Sequence, residues 1–391
     1  MRILICHNYY QQPGGEDAVF ASESSLLREY GHEVVKYTDD NKRINGMSRL
    51  AVGAQSIWSR PSQRKLLNIL RDLRPDLVHF HNTFLLISPS AYYACQKVGV
   101  PVVQTLHNYR VFCPKATFYR DGHVCEDCLG RSLLWPGVLH ACYRGSRMQT
   151  SVVAIMLTFH RMLKTWQRQV DIYIALTEFA KQKFIEGGIP AKKIFVKPNF
   201  VFPDPGMRDG DGDYVVFAGR LSPEKGIITL LRTWQSLKGI PLKIVGYGPL
   251  IEEVKVFVQT RKLEDIEILG QCANEEVIAL MKGARFLVFP SEWYETFGRV
   301  VVEAFACGVP VVASRLGAME EIVGDKRTGL HFEPGNPEDL AVKVEWAWTH
   351  PKEMQNMGYA ARAEYEAKYT AERNYKLLME VYLKVIDLRK Q

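Results

Sequence analysis

Hydrophobic residues recur in short continuous runs, and each run is followed by a polar loop and by a stretch with apolar residues every three to four positions. Such runs predict strands buried on both faces, and the longer period predicts the helices that cover them. The runs fall into two sets, at residues 2–5, 77–80, 100–106, 172–175 and 194–196, and then at 214–218, 242–245, 266–269, 286–289 and 309–313. The pattern therefore predicts an α/β protein with two doubly wound parallel sheets.

A break in this pattern separates the two sets. Residues 203–213 are rich in proline, glycine and aspartate, which predicts a linker. At 391 residues the chain is also longer than a single core usually serves. We predict a Rossmann-like domain at 1–203, a second one at 204–350, and amphipathic helices at 351–391. A loop-like insertion at 110–145 interrupts the first domain.

Composition restricts the class of protein. Hydrophobic residues make up 47% of the chain and charged residues 24%, which is typical of a soluble globular protein. The N-terminal residues hold only a short apolar run, so they predict a first strand and not a signal peptide. The longest uncharged apolar run near the middle, 151–159, is far shorter than the ~20 residues that span a bilayer. We therefore expect a cytoplasmic protein.

Positive charge is concentrated in the first half of the chain. Residues 1–205 hold 26 Lys and Arg against 16 Asp and Glu, a net charge of +10, whereas residues 206–391 are at −3. A basic domain predicts an anionic partner, such as a membrane surface or a lipid-linked diphosphate, or else only a solvated surface. No aromatic-basic motif supports a nucleic acid as that partner.

One apolar segment, 148–163, is bordered by cations. This pattern predicts either a helix that rests in a membrane interface or a core helix with cationic ends. The bordering residues are Arg144, Arg147, Arg161, Lys164 and Arg168.

One βαβ unit carries two acidic residues where α/β proteins bind ligands. A strand at 286–289 leads through a loop to a predicted helix at 298–307, and Gly308 ends that helix. Glu295 lies in the loop, and Glu303, eight residues further on, lies in the helix. Backbone amides at a helix start favour a phosphate, and carboxylates beside it accept protons from hydroxyl groups. The arrangement suits a nucleotide-linked sugar.

Three further loops follow predicted strands. Arg220 and Lys225 share one loop and are spaced to flank a diphosphate. Gly15 follows the first strand, where the absence of a Cβ lets a phosphate approach the backbone. His107 ends a strand at the edge of the sheet where ligands bind. Taken singly, Arg220 and Lys225 also fit a solvated loop. Gly15 also fits an ordinary turn, and His107 fits a buried core histidine.

The unit that carries Glu295 and Glu303 closely resembles the Glu-x7-Glu element of retaining glycosyltransferases of family 4, and the resemblance covers nearly the whole chain. It implies the GT-B fold, in which two Rossmann-like domains face a central cleft. It also implies that Glu295 contacts the donor sugar and Glu303 the ribose of a nucleotide-sugar. Arg220 and Lys225 match the family's diphosphate clamp, and His107 matches a histidine beside the anomeric centre. The expected catalytic residues are thus His107, Glu295, Arg220 and Lys225.

The same resemblance implies a nucleotide pocket. Loops like 246–249 and 270–273 hold the base in the family, with uracil as the expected base and guanine as the alternative. No catalytic metal is needed, because side chains and a helix dipole neutralise the diphosphate. The acceptor is expected on the first domain, and part of the C-terminal segment is expected to cross back to it. The residues expected to hold the nucleotide-sugar are Gly15, Tyr247, Cys272, Phe297, Gly298 and Glu303.

The insertion contains four cysteines in a C-x11-C-x2-C-x13-C pattern. One CxxC pair and two outlying cysteines fit a tetrahedral zinc site, which would fold a segment that lacks its own core. Ordinary reduced thiols are the alternative, and His123 or His140 could replace one ligand. The four predicted ligands are Cys113, Cys125, Cys128 and Cys142.

The expected function is retaining transfer of a sugar from a nucleotide-sugar to a glycan or polyprenyl-diphosphate-linked acceptor in cell-surface polysaccharide assembly. The enzyme is expected in the cytoplasm, with the inner face of the plasma membrane as the anionic surface it meets. The alternatives are a sugar-nucleotide epimerase of the same fold and a non-catalytic nucleotide-binding protein. A glycogen-type synthase is disfavoured, since the first half has no Lys-x-Gly-Gly string. The sequence does not indicate the sugar, the acceptor or the oligomeric state.

Overall fold

The computed structural model describes residues 1–12 and 14–390, which form two compact units. The first unit contains Met1–Phe118, Glu126–Pro198 and the chain from Asn374 on. The second contains Tyr119–Cys125 and Asn199–Arg373. The chain therefore leaves the first unit twice and ends within it.

Each unit is built on a six-stranded sheet, and a small separate hairpin is formed by residues of the insertion. The strands are β1 (Arg2–Tyr9), β2 (Glu33–Asp40), β3 (Leu77–Asn82), β4 (Val102–Thr105), β5 (Tyr119–Arg120), β6 (His123–Val124), β7 (Ile172–Ala175), β8 (Ile194–Val196), β9 (Tyr214–Ala218), β10 (Leu242–Val245), β11 (Ile266–Gly270), β12 (Ala284–Phe289), β13 (Val311–Ser314) and β14 (Gly329–Phe332).

Helices connect the strands and cover the sheets. They are α1 (Gly15–Glu29), α2 (Arg49–Ile57), α3 (Arg60–Leu73), α4 (Ser90–Val98), α5 (Trp135–Leu139), α6 (Arg147–Met162), α7 (Thr165–Arg168), α8 (Glu178–Glu186), α9 (Ile227–Trp234), α10 (Ile251–Thr260), α11 (Asn274–Gly283), α12 (Arg299–Ala306), α13 (Ala318–Ile322), α14 (Pro337–Thr349), α15 (Pro351–Lys368) and α16 (Ala371–Lys390). Within the described residues, no helix has the length and apolarity that a membrane crossing requires.

Both sheets have the strand order of doubly wound proteins. The first runs β2-β1-β3-β4-β7-β8 and the second β11-β10-β9-β12-β13-β14. Neighbouring strands pair in parallel throughout both sheets. The winding direction reverses between β1 and β3 in the first sheet and between β9 and β12 in the second. Ligands of open α/β sheets bind beyond the carboxyl ends of strands at such points.

The last helix contributes to the core of the first unit. Its apolar residues Leu378, Val381 and Val385 are buried in the same cluster as Ile3 and Ile5 of β1. Burial of this face is worth about 25 cal/mol per Å² of apolar surface removed from water. The segment from Asn374 on is therefore a structural part of the first sheet's core.

The predicted architecture of two doubly wound parallel sheets is confirmed. Two strands of the six-stranded sheets were not predicted, and neither were β5 and β6 of the small hairpin. In β2, at the edge of the sheet, only Val34 and Tyr37 are buried, so the segment lacks the continuous apolar run that identified the other strands. The other missed strand, β14, is only four residues long and contains Gly329 and His331. The residues of β14 are buried by packing against neighbouring elements, and their sequence contains no continuous apolar run that would indicate this burial.

Candidate active site

The loops after β9, β10 and β12 are held unusually close together. Gly226 adopts a φ of +68°, and a Cβ there would lie 1.8 Å from the carbonyl oxygen of Pro290. A Cβ on Gly246, whose φ is +144°, would meet the carbonyl oxygen of Gly219 at the same distance. Only glycine allows these backbones to touch in these conformations. The close approach of the loops after β9 and β12 brings their polar residues to one place at the switch point of the second sheet.

Lys225 and Glu295 form an ion pair at this switch point. The ammonium Nζ lies 2.5 Å from Glu295 Oε1, which also accepts hydrogen bonds from Ser291 Oγ at 2.7 Å and from Trp293 Nε1 at 2.9 Å. The Glu295 side chain is 8% exposed and that of Lys225 is 23% exposed. The carboxylate is thus fixed by three donors, whereas the lysine reaches it from a more accessible position.

Helix α12 begins beside this pair. Its N-cap is Gly298, with a φ of +84°, where a Cβ would lie 2.6 Å from Met319 Cε. Glu303 is buried one turn into the helix, with its Oε1 2.9 Å from Nε of Arg299. Burial raises the pKa of Glu303, and Arg299 opposes that rise. Phe297 is buried directly before the cap. The backbone amides at a helix start are groups that can bind an anion.

The remaining predicted residues of the second unit follow neighbouring strands. Arg220 follows β9, Tyr247 follows β10 and Cys272 follows β11. A hydrogen bond of 3.2 Å from the amide of Leu221 to the carbonyl of Tyr247 joins the first two loops. The Tyr247 side chain is exposed, and Cys272 is half-buried. The structure therefore brings the predicted clamp and base loops to the carboxyl edge of one sheet.

In the first unit, the Gly14–Gly15 turn begins α1. Asp17 Oδ2 accepts a hydrogen bond of 2.9 Å from the amide of Gly14, which satisfies one donor at the helix start. A Cβ built on Gly14 or Gly15 would meet no atom of the described residues within 4 Å. The fold itself therefore leaves room above these glycines, which is what close approach of a phosphate requires.

Glu16 has a different role from its neighbour Asp17. Its Oε2 accepts a hydrogen bond of 3.2 Å from Asn108 Nδ2, the residue after His107. Burial, and then the charge of Asp17, raise the pKa of Glu16 to about 8. A carboxyl group that holds its proton near neutral pH therefore lies between the glycine turn and the His107 loop.

His107 follows β4 and stacks on a second histidine. Its Nε2 lies 3.0 Å from Nδ1 of His81, at the end of β3, and the two rings are tilted by only 18°. Burial lowers the pKa of His107 well below its usual value, and the nearby His81 lowers it further. A cavity within the first unit is lined by both histidines, Asn108 and Arg110. The neutral imidazole is suited to hydrogen bonding and not to charge pairing.

Asn82, at the same end of β3, has an internal role. Its amide donates to the carbonyl of Asn8 at 2.6 Å and accepts from the amide of Phe84 at 2.9 Å. These hydrogen bonds stabilise the conformation of the loop after β3.

The cysteines of the insertion are divided between the units. Cys113, Cys128 and Cys142 lie in the first unit, and Cys125 lies in the second. Among the described residues, ligand atoms suited to a metal gather in two other groups, Glu23 with His79 and His81, and His7 with Glu16 and Asp17. The predicted zinc site stays a prediction.

Sequence reasoning missed two buried charged residues next to His81. Glu23 on α1 and Lys197 after β8 are each 1% exposed, and their side chains meet at 2.5 Å. The only signal was a glutamate among the apolar positions of α1, between Phe20 and Leu27. A charge at such a position is far more often solvated than buried.

Comparison with known proteins agrees with this geometry. The two units define the GT-B fold, since a solved structure of Alr3699/HepE from Anabaena in complex with UDP superposes with a TM-score of 0.69 over 98% of this chain and 100% of that chain, at 18% identity. The family described as Glycosyltransferase Family 4 matches residues 13–204, and the family described as Glycosyl transferases group 1 matches residues 203–364. The chain is therefore built from two domains that match glycosyltransferase families, and together these matches span residues 13–364.

Curated relatives carry related names. The uncharacterized glycosyltransferase MJ1178 of Methanocaldococcus jannaschii is 34% identical over 46% of this chain and 50% of its own length. The D-rhamnosyltransferase WbpZ of Pseudomonas aeruginosa is 31% identical over 40% of this chain and 42% of its own length. The chain thus spans about half the length, or less, of these relatives.

The raised pKa of Glu16 predicts a pH-dependent stability difference. The pKa of Glu16 is raised in the folded state from its ordinary value of 4.5 to about 8. The protonated carboxyl therefore contributes its full stabilisation below about pH 4.5, and this contribution is lost as the pH rises through about 8. Glu16→Gln keeps the bond to Asn108 without titrating. We expect the variant to gain about 1 to 2 kcal/mol over the unmodified protein between about pH 5 and about pH 9.

Thermal unfolding of both proteins across this range measures the difference. Glu29→Gln, at an exposed position near the end of the same helix, is the matched control. A gain of equal size at acid and alkaline pH, or the same trend in the control, would contradict the prediction.

Proposed function

We propose that this enzyme is a retaining glycosyltransferase that moves a sugar from a nucleotide-sugar, with UDP as the favoured nucleotide, to a glycan acceptor. The observation that carries the proposal is the Lys225–Glu295 pair at the switch point of the second sheet. A cation, an oriented carboxylate and a helix start lie there together, and these are the groups that recognise a diphosphate joined to a sugar.

The pair suggests how the groups divide the work. Glu295 is held by Ser291 and Trp293 as well as by Lys225, so it keeps its orientation if Lys225 turns to a phosphate. In this proposal Arg220, Lys225 and the start of α12 stabilise the leaving diphosphate, and Glu295 binds sugar hydroxyls. That is preorganised electrostatic stabilisation without a catalytic metal. The diphosphate then accepts the acceptor's proton on the face from which it departs.

Support for UDP comes from a similar protein, since the HepE structure contains UDP. The name of the relative WbpZ, D-rhamnosyltransferase, supports the transfer of a sugar. The base loops with Tyr247 and Cys272 lie at the edge where the nucleotide would bind. In the first unit, Gly15 would approach the diphosphate and His107 the sugar. Polysaccharide assembly is the process we propose for this activity.

We further propose that the first unit binds an anionic membrane surface through α6. Met148, Ile155 and Met162 lie seven residues apart on one side of this helix and are 58%, 55% and 78% exposed. Exposed cations lie at both ends of the stripe, Arg147 at one and Lys164 at the other. An apolar stripe between cations complements acyl chains beneath anionic headgroups, so the acceptor we propose is linked to a lipid.

Nucleotide binding tests the donor site. We expect calorimetric titration to show UDP binding in preference to GDP and ADP, and Arg220→Ala/Lys225→Ala to weaken it by about 100-fold through the loss of two charge-assisted contacts. Arg232→Ala/Lys238→Ala, which removes two exposed cations from the same unit, should bind UDP normally. Arg220→Ala alone leaves the Lys225–Glu295 pair intact and should give part of the loss. A double variant that folds and binds UDP normally would contradict the proposal.

A second prediction separates sugar from nucleotide. Glu295→Gln should bind UDP as the unmodified protein does, because the amide still accepts from Ser291 and Trp293. Within a panel of UDP-sugars, the one that binds the unmodified protein most tightly should bind the variant about tenfold more weakly, since a charged hydrogen bond to the sugar is lost. Calorimetry of both proteins measures this. Equal affinity for that UDP-sugar would remove Glu295 from the sugar site.

Vesicle co-sedimentation tests the membrane surface. We expect binding to vesicles that contain about one-third phosphatidylglycerol, weaker binding to pure phosphatidylcholine, and about a tenfold loss for Met148→Ser/Ile155→Ser/Met162→Ser. Val256→Ser/Val342→Ser, which changes two exposed apolar residues of the second unit, is the control. Equal binding to both kinds of vesicle would show that no anionic surface is recognised.

A further inference from the structure

Part of the insertion is fastened to helix α6 near both ends of that helix. At the start of α6, Arg147 Nε donates a hydrogen bond of 3.2 Å to the carbonyl of Leu139. Near its end, Arg161 Nη1 donates to the carbonyl of Arg131. At about 100° per residue, Arg147 and Arg161 lie within about 40° of each other around the helix. The segment 131–139 therefore runs antiparallel to α6 along one side of it.

The 131–139 segment exposes large apolar side chains. Leu133, Trp135 and Leu139 are 63%, 56% and 51% exposed. The apolar stripe of α6, from Met148 to Met162, lies about 100° around the helix from the side that carries the two arginines. The stripe is thus about a quarter-turn away from the segment, and exposed apolar residues of two elements are neighbours on the first unit.

A cavity of about 260 Å³ lies where the end of α6 meets the 131–139 segment. Met162, the last residue of the stripe, lines it together with Arg131 and Ser132. Arg161 of α6 and Gln167 of α7 add a second guanidinium and an amide. The cavity therefore combines two cations with hydrogen-bonding groups, beside the exposed side chain of Met162.

The two guanidinium groups have neutral partners. Arg161 contacts the carbonyl of Arg131, and its guanidinium carbon lies 5.5 Å from the centre of the Phe112 ring. Its Nη2 is buried without a hydrogen-bond partner among the described residues. Burial lowers the pKa of Arg161, and Arg131 is exposed to solvent. An anion in the cavity would offset the cost of holding a partly buried positive charge.

The surroundings indicate which anion fits. A free phosphate or an acidic peptide would use the cations but would leave the neighbouring apolar side chains in water. A phospholipid places a phosphate directly above acyl chains, and this order matches arginines beside an apolar surface. The exposed indole of Trp135 agrees with this, because tryptophan is enriched at membrane–water interfaces. The Arg131 guanidinium carbon lies 5.9 Å from the centre of that ring.

We propose that this cavity binds the phosphate group of a phospholipid, with Arg131 and Arg161 as its cationic ligands. A guanidinium can hold two phosphate oxygens at once. The exposed apolar residues of the 131–139 segment then enter the acyl layer beside the α6 stripe. This inference rests on the proposed membrane surface of α6 and deepens it, because it adds a saturable site for one lipid to a general attraction between charges.

A short-chain lipid tests the cavity without a membrane. In calorimetric titrations below the critical micelle concentration, we expect one dihexanoyl phosphatidylglycerol to bind per chain. Glycerophosphoglycerol, the same phosphodiester without acyl chains, should bind about tenfold more weakly, because it buries less apolar surface. Equal affinity for the two would show an anion site that does not recognise a lipid and would overturn the proposal. Absence of saturable lipid binding would overturn it as well.

Variants then test the two arginines. Arg131→Gln and Arg161→Gln should each weaken binding of the short-chain lipid about tenfold, through the loss of a charge-assisted contact. Arg131 is exposed, so its variant keeps the test valid if Arg161→Gln does not fold. Arg60→Gln/Arg64→Gln removes two exposed cations of α3 and is the control. Unchanged lipid affinity in Arg131→Gln, or an equal loss in the control, would refute the assignment.

Vesicles distinguish this inference from the proposed membrane surface. If both hold, Arg131→Gln and Leu133→Ser/Trp135→Ser should each weaken co-sedimentation with phosphatidylglycerol vesicles by about three- to tenfold. Vesicle binding by the unmodified protein without saturable binding of the short-chain lipid would refute the cavity site and leave the α6 surface in place. Saturable lipid binding without vesicle binding would instead reject the membrane surface, while the phosphate site would stand.

Discussion

The first unit depends on the buried pair of Glu23 and Lys197. Two fully buried charges are tolerated only when each has a partner, and removal of one partner typically costs about 3 to 5 kcal/mol. Lys197 lies one residue before the chain leaves the unit at Pro198, and the chain returns at Asn374. Asn374 donates to the carbonyl of Pro198 at 2.8 Å and lies 3.3 Å from Lys197 Nζ. The pair therefore stabilises the contact between the segment where the chain leaves the first unit and the segment where it returns.

The same pair links the fold to the proposed chemistry. Helix α16 reaches the polar network around this pair through Tyr382, which meets His79 at 2.8 Å. The C-terminal helix thus completes the apolar core and the polar network of the first unit together. Substitutions on α16 can therefore affect the histidines without lying near a ligand. Such coupling acts through contiguous packed groups, each with a defined hydrogen-bond partner.

Much of the fold was predictable because most strands are continuous apolar runs, and β7, β8, β9 and β10 lie where the sequence predicts them. The glycines and charges of the second unit were also visible, since loop residues after strands stand out from such runs. The network around Glu23 was not, because period and composition do not distinguish a buried charge from a solvated one. Its partner Lys197 is 174 residues away in sequence. Only the tertiary structure shows that the two meet, and cysteine spacing alone cannot define a zinc site for the same reason.

The two units use charge in opposite ways. In the first, Glu23 and Lys197 are each 1% exposed and are held by several elements, so the pair keeps one arrangement. In the second, Lys225 is 23% exposed and Glu295 has two further donors, so the lysine can exchange its partner at little cost. A phosphate that takes Lys225 releases one contact of an already oriented carboxylate. Under the proposed function, diphosphate binding would therefore prepare Glu295 for the sugar, while the buried pair of the first unit keeps its single arrangement.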